Sequence, residues 1–156
     1  MLEINQRLIA WATEATELRG SVSEPNTAET VEDLHERLIA TRKAQDRLEA
    51  IVADLGRLRS RSRIRVAELQ DAYDDAWRNS FSISRVGEYD SAKAQDARHT
   101  LAAMNEMIEL RKAKRLNADI EEVYDFVVLK HRGLNSSRQD LDLRIKMLSV
   151  AGYLEH

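Results

Sequence analysis

Arginine stands at every second position of Arg57-Leu58-Arg59-Ser60-Arg61-Ser62-Arg63-Ile64-Arg65. On a helix, Arg57, Arg61 and Arg65 fall on one slowly drifting row and Arg59 and Arg63 on a second, flanking Leu58, Ser62 and Val66. Five guanidiniums within ~12 Å of helix rise repel one another, and nothing in the stretch offsets them. Two readings follow. Acids on a neighbouring helix neutralise them, Glu106 and Glu109 for instance, or the stripe tracks phosphates. Arginine suits the second task, since its fork matches phosphate oxygens and its plane stacks on bases. Tyr73, Trp77, Phe81 and Tyr89 come next in the chain. Tyr73 and Trp77 are four apart along an apolar seam and read as packing residues. Phe81 and Tyr89 border a loop and are the candidates for base stacking.

Covalent chemistry has little to work with. Five scattered glycines build no phosphate loop, and no cysteine is present as nucleophile or ligand. The histidines are isolated at 35, 99, 131 and 156. Glu32 with His35, and Asp96 with His99, have the three-residue spacing of bundle di-metal sites. Such a site also needs a lone carboxylate from each of two further helices. Glu32 and Asp96 lie on the polar sides of their helices, so both pairs read as solvated surface. Asp71, Asp74 and Asp75 read as an exposed acidic face, with no histidine nearby in sequence for acid–base work. The expectation is a protein that is not an enzyme and that holds no metal or cofactor.

The elements that position these residues are long helices. With 156 residues, 33% charged, 5% aromatic and a single proline, the composition fits an all-α fold with charge-rich helices and thin seams. Ile4, Leu8, Trp11, Ala15, Leu18 and Val22 form one stripe, which predicts an N-terminal helix over 2–22. Asn26-Thr27-Ala28-Glu29 reads as a capping box that opens a long helix over 26–80. Its apolar track runs through Val31, Leu34, Leu38, Leu48, Ile51, Leu55, Leu58, Val66, Leu69, Tyr73 and Trp77, and thins at Thr41–Gln45. A loop over 79–87 leads to a helix over 90–132 with Ala94, Ala97, Leu101, Met104, Ile108, Leu116, Ile120, Val123 and Val127 as its stripe. Gly133 marks a break, and 135–152 follows with Leu141, Ile145 and Leu148. The period-two alternation of Asp140–Lys146 leaves a short strand as the alternative there.

A helix over 26–80 approaches ~80 Å and cannot bury itself in one short bundle. The expectation is therefore a single elongated domain over 1–156, a helical hairpin with coiled-coil-like arms that assembles with further copies. Leu141, Ile145 and Leu148 are read as an oligomerisation stripe that docks on a neighbouring subunit. No apolar run is long enough for a bilayer and no signal peptide is read, so the expectation is a cytoplasmic protein with no membrane partner.

The net charge of −3 is unevenly spread. Residues 1–56 and 66–110 each carry −5, residues 57–65 carry +5, and residues 111–156 carry +2. Affinity for nucleic acid depends on where the cations lie, so an acidic total does not exclude it.

The order of these features resembles the UvsY-like family of phage recombination mediators. The residues that carry the likeness are Ala67-Glu68-Leu69-Gln70-Asp71-Ala72-Tyr73 after the basic run, and Val123-Tyr124-Asp125-Phe126 leading to Lys130-His131-Arg132-Gly133-Leu134. The match spans roughly residues 40–150 and is one of pattern and spacing. The family's Lys-Ala-Arg segment is not reproduced letter for letter, and the basic run at 57–65 occupies the neighbouring position. The resemblance implies a ring-like homo-oligomer that binds single-stranded DNA. It also implies that the protein helps load a RecA-type recombinase where a single-strand-binding protein already sits, in the host cytoplasm if phage-encoded. Arg57, Arg59, Arg61, Arg63 and Arg65, with Lys130 and Arg132, are then the DNA-binding residues. The competing reading is a helical structural or adaptor protein, scaffold-like, without DNA binding. A helical-hairpin secretion substrate would need a Trp-x-Gly turn, which neither Trp11 nor Trp77 provides.

Overall fold

Side chains that favour helices and a near-absence of breakers give an all-helical chain. The computed structural model describes residues 2–20, 30–83 and 92–154, with side chains at 2–20, 30–80 and 92–150. The helices are α1 (Leu2–Gly20), α2 (Val31–Ile83), α3 (Ala92–Ala102) and α4 (Met104–Leu154). The expected capping box at Asn26–Glu29 lies outside the described residues. Helix α2 instead starts at a box one turn later. The Asp33 N–H donates to Thr30 Oγ1 (3.2 Å), and the Thr30 N–H donates to Asp33 Oδ2 (3.0 Å). Each side chain so satisfies an amide that the helix start would leave without a partner.

The expected loop over 79–87 begins later, because α2 continues to Ile83. No described residue is in a strand, and Asp140–Lys146 is helical. The expected single helix over 90–132 is divided at Ala103. The bonds Ala103 N–H to His99 C=O (3.1 Å) and Met107 N–H to Ala103 C=O (3.0 Å) still keep the i to i−4 spacing across the division. The expected break at Gly133 is absent, since α4 runs on to Leu154. A single helix-interior glycine costs about 1 kcal/mol, too little to stop a helix held by packing on either side.

The chain divides into two compact units, residues 1–56 with 122–156 and residues 57–121. In the first unit, α1, the first part of α2 and the last part of α4 pack together. Leu34, Thr41, Leu48 and Leu55 recur at seven-residue steps on α2, and Val127, Leu134 and Leu141 do so on α4; all are buried. The α1 stripe adds Leu8 and Ala15. Partners run in opposite directions, since Gln45 meets Arg138 and Glu49 meets His131. The gap in apolar residues at Thr41–Gln45 is filled by bonded polar groups. Thr41 Oγ1 donates to the Arg37 carbonyl (2.8 Å), and the Gln45 side-chain carbonyl accepts from Arg138 (3.2 Å).

The C-terminal stripe differs from the expectation. Leu141 is buried against Leu34 and Leu38 of its own chain, with Ile145 packed beside them. Uninterrupted α4 carries that row back along its own α2, which covers Leu141 and part of Ile145. Leu148 is exposed.

The second unit pairs the rest of α2 with α3 and the start of α4, again antiparallel. Its buried apolar set is small, Ala103, Leu110 and Ile120 among the described residues. Along α3 and the start of α4 the face turned inward is not the expected one, although Ile120 and Val127 of the expected stripe are buried. His99 is 1% exposed, whereas Leu101 is 66% exposed, and Met104 and Ile108 are also on the surface. Positions two apart on a helix differ by about 200°, so turning His99 and Ala103 inward turns Leu101 outward.

Candidate functional site

Helix α2 divides the five arginines as the spacing requires, into two rows with different surroundings. Arg59 and Arg63 both reach Glu121 on α4. The Arg59 Nε lies 2.5 Å from Glu121 Oε2, and an Arg63 Nη lies 2.7 Å from Glu121 Oε1. Each carboxylate oxygen so receives one guanidinium. Partial desolvation of the Glu121 carboxyl raises its pKa, but the hydrogen bonds and charges of Arg63 and Arg59 outweigh this and hold it below the ordinary value. Neutralisation by a facing helix therefore holds for this row, through Glu121 rather than Glu106 or Glu109. Glu109 instead pairs with Lys112 of its own helix, 2.8 Å away.

The other row faces water. Arg57, Arg61 and Arg65 are all exposed. Arg65 bonds Glu68 one turn along the same helix at 3.3 Å, an exposed pair of small energetic weight. Arg61 has no partner among the described residues. Four-residue steps advance ~6 Å along the helix, so these arginines form a short row of cations on one side of α2.

Further along the same unit, α4 carries Arg111, Lys112, Lys114 and Arg115, all exposed. Lys114 donates to Gln70 Oε1 (3.0 Å), and Gln70 donates in turn to Asp74 Oδ1 (3.0 Å). Part of the acidic face at Asp71–Asp75 is thus linked to the cations of α4. Charge composition alone does not show this, because the connection depends on which helix lies opposite.

Lys130 and Arg132 belong to the other unit. The Lys130 ammonium stands over the Phe126 ring, 5.0 Å from its centre, and Arg132 is exposed. Phe81 lies in the last turn of α2, and Tyr89 lies outside the described residues.

His99 also lies where the sequence did not place it. It was expected on a solvated face with Asp96, and it is buried beside Ser80 and Trp77 while Asp96 stays exposed. Ser80 Oγ donates to the Trp77 carbonyl (2.5 Å) and stands 2.6 Å from His99 Nδ1. A hydroxyl has one proton, so with that proton on the carbonyl the Nδ1–H of His99 is the donor to Ser80. The Trp77 and His99 rings meet edge to face, with centres 5.8 Å apart. The pair is buried against the Trp77 ring. The available signal was the seven-residue step that joins Ala103 to Leu110, which puts His99 one turn before Ala103 on the buried face.

Comparison of the chain with protein-family models, with curated proteins and with solved structures gives no match.

Proposed function

We propose that the chain is a non-enzymatic, self-associating protein that binds single-stranded DNA and acts as a recombination mediator, helping a RecA-type recombinase onto strands held by a single-strand-binding protein. The observation that supports the binding step is the exposed row Arg57, Arg61 and Arg65, with Arg61 free of partners among the described residues. Phosphate contacts give affinity without base readout, so binding is expected to be indifferent to sequence. The recombinase step follows from the resemblance to UvsY-like mediators. Long, coiled-coil-like arms and a ring-like assembly belong to the same reading, since copies in a ring multiply a modest site by avidity.

The test is titration of labelled single-stranded DNA at several salt concentrations. Each phosphate neutralised on a single strand contributes about −0.7 to the slope of log K against log salt. Replacing Arg57, Arg61 and Arg65 by Ala removes up to three such contacts and lowers affinity at every sequence. An unchanged slope and affinity refutes the reading.

The surface aliphatics Leu101, Met104, Ile108, Leu143, Met147 and Val150 favour a second reading, a helical adaptor whose contacts are with protein alone. Salt-sensitive DNA binding separates the two.

A further inference from the structure

Helix α4 and the end of α3 carry two exposed rows that have the same spacing. In the second unit the row is Leu101, Met104, Ile108 and Arg111, with steps of three, four and three. In the first unit it is Asp140, Leu143, Met147 and Val150, also with steps of three, four and three. All eight side chains are exposed. Each row sits on the outward side of a helix whose inner side is already covered by its own chain. Ala103 and Leu110 are buried behind the first row, and Leu141 is buried behind the second.

We infer that these rows are the two halves of one contact between copies of this chain, with the Leu101–Arg111 row of one copy lying antiparallel on the Asp140–Val150 row of another. In this order Leu101 faces Val150, Met104 faces Met147, Ile108 faces Leu143 and Arg111 faces Asp140. Apolar groups meet apolar groups, and opposite charges meet at the end. The other arrangements fail this match. Laid parallel, the rows put Asp140 on Leu101 and Arg111 on Val150. A row laid parallel on its own copy sets Arg111 on Arg111 or Asp140 on Asp140. Laid antiparallel on its own copy, it sets a charge on an aliphatic at both ends.

The charges are placed for this role. Arg111 has no partner among the described residues. Asp140 carries Arg144 of its own helix at 2.8 Å, an exposed pair that leaves the carboxylate open to a second cation. The second unit also has reason to be covered, since its own buried apolar set is limited to Ala103, Leu110 and Ile120 among the described residues. Because every copy presents both rows, the contact generates a two-fold pair or a ring, according to the rotation it imposes.

This contact deepens the self-association in the proposed function but requires no nucleic acid. It is therefore tested without DNA, and its failure leaves the arginine row untouched. Light scattering at micromolar concentration is expected to give a mass that is a multiple of 17.9 kDa. Arg111→Glu and Asp140→Arg each lower that mass, and the two together restore it, with helix content by circular dichroism unchanged throughout. The chain has no cysteine, so Met104→Cys with Met147→Cys provides an independent measurement. Glutathione disulfide is expected to link the double variant into covalent dimers or larger species, and to leave the Met104→Cys single variant without the ladder. A monomeric wild-type mass overturns the contact. So does a double charge reversal that fails to recover the mass lost in both single variants, or a double cysteine variant that does not crosslink.

Discussion

Arg19 lies across Gly133, with its Nε 3.3 Å from the place a Cβ would take. The same guanidinium donates to Ser137 Oγ at 2.9 Å, and Ser137 donates to the Gly133 carbonyl at 3.1 Å. The glycine is therefore a seat for α1 on α4 within an unbroken helix. Gly56 has no such occupant, since a Cβ there meets only the Tyr124 ring at 3.9 Å, an ordinary contact. Gly56→Ala is expected to stabilise the chain by about 1 kcal/mol in urea unfolding. Gly133→Ala should give less than half that gain, because Arg19 must shift. Equal gains at the two sites would show that the Arg19 contact carries no weight.

Leu141 gives a prediction that separates packing within one chain from packing between chains. Its neighbours Leu34 and Leu38 are in the same chain. Leu141→Ala is expected to cost about 2–4 kcal/mol by cavity formation. The loss should be the same at low and high protein concentration. A loss that grows on dilution would mean that Leu141 works at an interface.

Glu121 links stability and binding. Its folded pKa lies below the ordinary 4.5, so the carboxylate contributes stability above the unfolded value, and this is lost as pH falls through the lowered folded value. Glu121→Gln is expected to flatten the acid limb of a stability-against-pH curve. It also releases Arg59 and Arg63 for phosphate, so single-stranded DNA should bind more tightly, with a steeper salt slope. A weaker or unchanged affinity in this variant would exclude Arg59 and Arg63 from any reserve of DNA contacts.

The start of α2 should titrate in the same direction. The Asp33 carboxyl is held low by the backbone N–H and then by the hydroxyl of Thr30. Its contribution is present above the ordinary carboxylate value and fades as pH falls below it. Thr30→Ala is expected to cost about 1 kcal/mol at neutral pH. Part of the acid dependence should disappear with it. Proton titration of Asp33 by NMR reads this directly, and an Asp33 pKa that does not rise in the variant would contradict the cap.

Much of this fold is legible in the residues, and the illegible parts have physical causes. The α1 stripe and the α2 track from Leu34 to Leu55 are plain because large aliphatics occupy one face and charges the other. Along α3 and the start of α4 the more hydrophobic face, Leu101–Met104–Ile108, is the exposed one. Periodicity reports that a face is apolar but not which neighbour covers it, so a helix with two such faces misleads. His99 was lost for the same reason. The arginine rows were legible as rows. Their division between Glu121 and water was not, since it depends on which residue of a distant helix arrives opposite Arg59 and Arg63. The start of α2 escaped because two cap signals, Asn26–Glu29 and Thr30–Asp33, stand in succession.

The polar layer inside the first unit has a consequence for folding. Leucine ladders with a seven-residue repeat are nearly self-similar under a slide of one repeat, so α2 and α4 made of them alone would have several near-degenerate alignments. Buried Gln45, bonded to Arg138 of the facing helix, interrupts the ladder at one level. A slide by one repeat would carry Arg138 to Leu38 or Val52 and leave the buried Gln45 without it, at a cost of about 1–3 kcal/mol for the unpaired amide. The layer thus acts as a notch that selects one alignment out of several, in the way a single polar residue fixes the pairing of a coiled coil.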